Sequence, residues 1–192
     1  MRLLKLLVLA FCLLLNACVL GTSQNAKFYT LSSMPVTVQS NSYAAFVGIN
    51  RVQLPRYMDR PQMTTQGQDS VEVNVSEYNR WVEYPNVLAT RVLTENLSAA
   101  LPSAQIKVNP FGTEKFDFVV STEVVKMDAA LGGNVQLDAW YSIKNGSGKL
   151  LERRKFQKSL DIKNSYDDLA KGYSHLLALL AHDIAIALVK TQ

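Results

Sequence analysis

The stretch from Phe116 to Leu160 restricts the fold more than any other part of this chain, because it reads as three long strands joined by two glycine-bearing turns. In its middle third, Val135, Leu137, Ala139, Tyr141 and Ile143 alternate with Gln136, Asp138, Trp140, Ser142 and Lys144. A period of two puts the first set on one face of a sheet and the second set on the other. The flanking runs, Phe116 to Met127 and Lys149 to Leu160, have the same strand composition. Leu131-Gly132-Gly133-Asn134 and Asn145-Gly146-Ser147-Gly148 are short enough to be hairpin turns. The segment is therefore an antiparallel meander with one covered face and one wetter face.

Two helices supply the cover. Asn86 to Ala100 carries Leu88, Val92, Leu93 and Leu97 at three- and four-residue spacing, continued by Leu101 and stopped by Pro102. Tyr166 to Val189 carries Leu169, Tyr173, Leu176, Leu177, Leu180, Ile184 and Leu188 as its apolar stripe. Ser165 stands just before it and Asp168 three residues on, close to a capping box. Shorter strand candidates are Lys27 to Leu31, Tyr43 to Leu54 with Phe46 to Val52 alternating inside it, Gln62 to Thr65, Ser70 to Val75 and Gln105 to Val108. Val71, Val73 and Val75 share one face of the fourth. These elements predict an α+β fold: an antiparallel or mixed sheet with both amphipathic helices packed on one face and the other face free for a partner.

The N-terminus fixes where such a domain works. Arg2 and Lys5 precede an apolar run from Leu6 to Leu15 that is too short to span a bilayer, so residues 1–17 read as a secretory signal peptide. Leu15-Asn16-Ala17-Cys18 resembles the lipobox of bacterial lipoproteins, which implies cleavage before Cys18 and a covalent diacylglycerol and N-acyl chain on that residue. An ordinary signal peptide cut elsewhere, with Cys18 a plain thiol, is the alternative. Acyl chains contribute about 0.8 kcal/mol per buried methylene, so several chains give lasting attachment. An Asp after the lipidated cysteine retains many such proteins at the inner membrane; Val19 stands there instead, which favours the outer membrane. Residues 18–26 form the lipidated N-terminus and a tether, and residues 27–192 a single periplasmic domain. Removing 1–17 from the 192 residues leaves 175, enough for one core, with 18 basic and 16 acidic side chains. That near balance argues against a nucleic-acid binder.

Nothing in the pattern points to catalysis. His175 and His182 are two helical turns apart, roughly 10 Å, too far to chelate one metal without other ligands. Ser121, Glu123 and Asp138 lack a nucleophile elbow, and the glycines of the two turns lack the lysine of a phosphate loop. The sequence thus predicts neither enzyme activity, nor a metal site, nor a cofactor other than the lipid on Cys18. Arg153, Arg154, Lys155 and Lys158 form a basic cluster that would meet anionic headgroups or an acidic protein, or simply solvate a strand edge. Alternation along a strand prevents all four from sharing a face.

Leu54 to Pro61, Leu-Pro-Arg-Tyr-Met-Asp-Arg-Pro, is stiffened by a proline near each end. Arg56, Tyr57, Met58, Asp59 and Arg60 between them have the composition of a binding hot spot. The same residues would also serve an internal role, with Tyr57 and Met58 tucked onto the sheet and Asp59 paired with an arginine. The run from Val47 to Met63, together with Phe28-Tyr29-Thr30-Leu31 and Arg80-Trp81-Val82-Glu83, resembles the auxiliary lipoproteins of ABC-type and MCE-type lipid transport, and within them the paraquat-inducible protein C group. Met58 replaces the group's more usual leucine, and Tyr84 intrudes between Glu83 and Pro85. The resemblance implies a non-enzymatic outer-membrane lipoprotein that partners an MCE-domain periplasmic tunnel protein, with assembly into a homo-oligomer left open. A structural or assembly lipoprotein that never handles lipid cargo and a soluble-ligand carrier are the competing readings.

Overall fold

The computed structural model describes residues 24–37, 39–67, 71–109 and 114–191. The expected signal peptide, Cys18 and Val19 lie outside them. In chain order the elements are β1 (Lys27–Tyr29), β2 (Phe46–Ile49), β3 (Gln62–Gln66), β4 (Val73–Trp81), α1 (Pro85–Ala100), β5 (Gln105–Val108), β6 (Phe118–Ala129), β7 (Asn134–Asn145), β8 (Leu150–Asp161) and α2 (Tyr166–Lys190). The fold is α+β with mixed sheets, and the meander is its largest part: β6 pairs antiparallel with β7, and β7 with β8, along nearly their whole lengths.

The alternation in β7 does what its period requires. Val135, Leu137, Ala139, Tyr141 and Ile143 are all buried, and they meet the stripe of α2, in which Leu169, Tyr173, Leu176, Leu180, Ile184 and Leu188 are buried as well. By length and hydropathy α2 could cross a membrane. Its apolar side is instead consumed by the sheet and by α1, which packs beside it. Two tyrosines tie the layers together: Tyr173 Oη donates to the Met127 carbonyl (2.8 Å) and Tyr141 Oη to Asp183 Oδ2 (2.7 Å). The capping arrangement forms as expected, with the Asp168 amide donating to Ser165 Oγ (3.0 Å) and Ser165 Oγ donating to Asp168 Oδ2 (2.6 Å).

Three features depart from the sequence expectation. The sheet divides in two, a five-stranded sheet in the order β5-β2-β6-β7-β8 and a three-stranded sheet in the order β1-β4-β3. Within Tyr43 to Leu54 only Phe46–Ile49 is strand, parallel to both β5 and β6. The chain then leaves β5 and follows β6 by single bonds: Asn50 N to the Val120 carbonyl, Gln53 N to the Thr122 carbonyl, and Val52 N to Thr90 Oγ1 on α1. The fourth strand begins later than expected and runs on to Trp81. Its second half is held by parallel pairing with β1 and by the Trp81 amide donating to the Pro61 carbonyl (2.7 Å).

Gly172 lies within α2 where helix and sheet approach most closely. A Cβ there would stand 2.7 Å from Val135 Cγ2 and 3.0 Å from Ile162 Cγ2. Alanine would gain up to about 1 kcal/mol of helix propensity, but overpacking a closed core costs about 1–3 kcal/mol. Gly172→Ala should therefore lower the melting temperature, whereas a propensity-dominated site would show a rise. Ser165→Ala should cost about 1 kcal/mol through loss of the cap, read as a downward shift of about 2–4 °C in thermal melts; an unchanged melt would mean that the cap adds nothing to α2.

Candidate interaction site

The Leu54–Pro61 segment links the two sheets, and its backbone satisfies itself before any side chain is considered. The Pro55 carbonyl accepts from both the Met58 amide (2.9 Å) and the Asp59 amide (3.2 Å), and the Met58 carbonyl accepts from the Arg60 amide (2.8 Å). Pro55 is the residue that opens this turn, and its locked φ stiffens the chain where it enters it. The result is a tight projection whose five central side chains fall into three groups.

Two point inward. Met58, only 6% exposed, joins the apolar core. Asp59 Oδ1 accepts from the Asn86 amide (3.2 Å) in the first turn of α1. That helix starts with Pro85 and has Tyr84 at its N-cap, with neither a capping side chain of its own nor an acidic residue in its first turn. Asp59 supplies from outside the helix both the acceptor and the negative charge that its N-terminus favours. The partner that the sequence suggested for an inward Asp59, an arginine, is replaced by a helix end. Local sequence shows no sign of this, because 27 positions separate Asp59 from Asn86.

Tyr57 is intermediate in role. The residue stays 41% exposed while its Oη donates to Asp128 Oδ1 (2.9 Å). Asp128 also accepts from Gln66 Nε2 (2.6 Å) and pairs with Lys126 Nζ (3.4 Å). Burial, and then the bond to Asp128, pushes the Tyr57 phenol up to about 12, so it remains a donor at neutral pH. Sequence reasoning missed Asp128 and Gln66. Asp128 is aimed at Tyr57 from beyond a register shift between Val124 and Lys126, which the composition of β6 does not announce. Arg56 and Arg60 are exposed and project from this pinned base.

The free face of the five-stranded sheet carries a second feature. Asn50, Arg51, Ser121, Glu123, Trp140 and Arg153 border an open recess of about 390 Å³. The Arg153 guanidinium lies 5.1 Å from the Trp140 ring centroid, a cation–π distance. The basic cluster divides as alternation demands. Arg153 and Lys155 stand opposite Ser142 and Trp140, while Arg154 stands opposite Tyr141 and reaches Asp183 (3.4 Å) and Glu152 (3.5 Å). Of the histidines, His182 exchanges a hydrogen bond with Gln39 Nε2 (3.1 Å), and both border a shallow recess with Pro35 and Val36. Among the described residues no group of three His, Cys, Asp or Glu side chains is placed to hold a metal ion.

Comparison with known structures places this architecture among solved folds. A crystal structure of an uncharacterized protein superposes with a TM-score of 0.70 at 21% identity, covering 86% of this chain and 99% of the other. A Xanthomonas campestris protein of the DUF330 family superposes with a TM-score of 0.72 at 9% identity, covering 86% and 96%. At these identities the likeness is one of fold. Comparison with proteins of curated function gave no match. The sequence model of the ABC-type transport auxiliary lipoprotein component matches residues 29–185, from the last residue of β1 to the last turns of α2. The chain belongs to that family.

Proposed function

We propose that this chain is a non-enzymatic outer-membrane lipoprotein, held by acyl chains on Cys18, that docks an MCE-domain periplasmic tunnel protein of a lipid transport system through the Leu54–Pro61 projection. The family supplies the coarser part: a lipoprotein of the cell envelope that serves a transporter. The observation that carries the finer part is the division of labour within the projection. Met58 and Asp59 anchor it to the core and to α1, and the Tyr57 hydroxyl is fixed by Asp128. Arg56, the Tyr57 ring and Arg60 are thereby presented outward on a rigid base. An aromatic between two arginines is a composition enriched at interface hot spots, and a pre-ordered loop loses little entropy on binding.

A structural lipoprotein of the envelope is the second reading; for the segment itself the bonds of Asp59 and Tyr57 would equally serve a purely internal bend between the sheets. A soluble-ligand carrier is disfavoured by the recess on the free sheet face, which is open and bordered by Ser121, Glu123, Ser142 and Arg153 rather than enclosed and apolar.

Charge reversal separates docking from a purely internal role. Arg56→Glu and Arg60→Glu change exposed side chains, so melting should stay within about 0.5 kcal/mol of the parent. Co-purification of the tunnel protein should nevertheless fall, by opposing the partner's charge. Full retention of the partner by both well-folded variants would remove the projection from the interface. Asp59→Ala should behave differently, destabilising the fold by about 0.5–2 kcal/mol through loss of the α1 cap, with partner binding falling only as the fold does.

Attachment and sorting are checked separately. Cys18→Ala should abolish acyl labelling and leave either uncleaved precursor or protein missing from the anchored fraction. Val19→Asp should shift the protein towards inner-membrane fractions on a density gradient in a Gram-negative host that uses this rule. Normal acylation of the first variant, or unchanged fractionation of the second, would contradict the corresponding assignment.

A further inference from the structure

The three-stranded sheet is coloured the wrong way for a solvated surface. Register decides which of its side chains share a face: Phe28 stands opposite Arg80, Arg80 opposite Gln62, Val75 opposite Thr64, and Val73 opposite Gln66. The face inward to the core carries Met63, Thr65, Tyr29 and Trp81, as burial demands. The opposite face should be polar. Beside the half-buried Gln62, Thr64, Gln66 and Arg80 it presents Phe28 (64% exposed), Val73 (45%) and Val75 (38%), with Val82 (52%) continuing the line beyond β4, where its amide donates to the Tyr29 carbonyl (2.9 Å). Val71, Tyr78 and Tyr84 add exposed apolar surface within three residues of the same strands. The five-stranded sheet, with more than twice as many strand residues, exposes only Val125 and Leu150 among its large apolar side chains. The apolar surface of the described residues is thus concentrated on the smaller sheet.

The chain also enters the domain at this sheet. Gln24 and Asn25 already border a recess with Lys27, Tyr29, Tyr78 and Tyr166, so the protein is in contact with its own N-terminal segment from Gln24 onward. Covalent geometry limits the six steps from Cys18 to Gln24 to about 20–22 Å. A domain of this size is about 40 Å across. An anchor on Cys18 therefore keeps the β1 edge near the lipid and cannot let the far side of the domain take its place.

From the apolar face and the short tether together we infer that the face of the three-stranded sheet bearing Phe28, Val73, Val75 and Val82 lies on the phospholipid surface, as an interfacial contact rather than an insertion. This rests on the proposed acylation of Cys18. Valine and aromatic side chains at headgroup depth add apolar burial to the attachment, and tyrosines such as Tyr78 and Tyr84 suit that depth because one end is apolar and the other wet. Charge contributes little: the face's cation Arg80 pairs with the Glu77 carboxylate (3.9 Å) and donates to the Glu77 carbonyl (3.0 Å), and along the sequence Lys27 is offset by Glu83. The contact is accordingly indifferent to headgroup charge and to salt.

Depth-dependent quenching tests this on the full lipidated protein. In the acylated chain the thiol of Cys18 is blocked, so Val75→Cys, Val82→Cys and, as a control on β8, Lys155→Cys each offer one site for an environment-sensitive fluorophore. In phosphatidylcholine vesicles containing a headgroup nitroxide lipid, the label should be quenched several-fold more at positions 75 and 82 than at 155, equally in low and high salt. Val73→Asp in the Val82→Cys protein should bring quenching down towards the control while melting stays unchanged. Acyl labelling and vesicle flotation of the same samples report on the anchor. Protein that is not acylated and does not float would overturn the Cys18 reading and this inference with it. Protein that floats but shows equal, weak quenching at all three positions would overturn the membrane face alone. Protection of position 75 that arises only when the tunnel protein is added would assign the face to a protein partner and equally overturn it.

Discussion

Burial of the α2 stripe against the β6-β7-β8 meander is the interaction on which the rest of this protein depends. Leu176, Leu180, Ile184 and Leu188 are fully buried, and each such side chain contributes roughly 1.5–3 kcal/mol relative to exposure. The cost of ordering a 25-residue helix and three 12-residue strands is offset mainly there. Tyr173 and Tyr141 set the registration of the two layers by bonding across them, one to a strand carbonyl and one to a helix carboxylate. Burial raises both phenols well above their ordinary range, so both stay protonated and keep donating. Asp183 in turn neutralises Arg154, which stands opposite Tyr141 on the helix side.

Everything with a candidate role hangs from the edges of that slab. β2 joins it through a short parallel ladder, and the chain beyond β2 stays close to β6 only through isolated bonds, the Gln53–Glu123 bridge among them. This loose attachment frees the Leu54–Pro61 segment to project, and Met58, Asp59 and Tyr57 fix it again at three points. The price of a projecting loop is usually disorder, which would weaken recognition. Here one side chain in the core, one on a helix terminus and one on a carboxylate replace that disorder with a defined surface. At the opposite margin, β8 closes the sheet with Arg153, Lys155 and Lys158 along its length, charges that discourage edge-to-edge pairing with other strands.

The three-stranded sheet and the projection are neighbours, joined where the Trp81 amide meets the Pro61 carbonyl. If the apolar face rests on lipid, the projection is held beside the membrane surface. On the proposed reading, a tunnel protein would meet Arg56, Tyr57 and Arg60 beside the lipid surface. The two surfaces differ in chemistry as their partners would: one apolar and charge-balanced, the other an aromatic between two cations.

Local sequence by itself determined the elements whose partners lie close in the chain. The meander was legible because a period of two, repeated in β7 and bounded by glycine turns, permits only hairpin neighbours, and both helices followed from apolar spacing with Ser165 and Pro102 as punctuation. The projection was legible too, since two prolines and the residues between them need no distant contact to be recognised. Tertiary structure alone decided that the sheet splits, that β2 lies parallel between β5 and β6, that β4 runs on to Trp81, that Asp59 caps α1, and that Asp128 holds Tyr57. It also decided that Val73 and Val75 face outward, because alternation says which residues share a face and not which face is covered. These contacts join residues tens of positions apart, and their energy comes from packing and hydrogen bonds that exist only once the layers have assembled, so no local pattern encodes them.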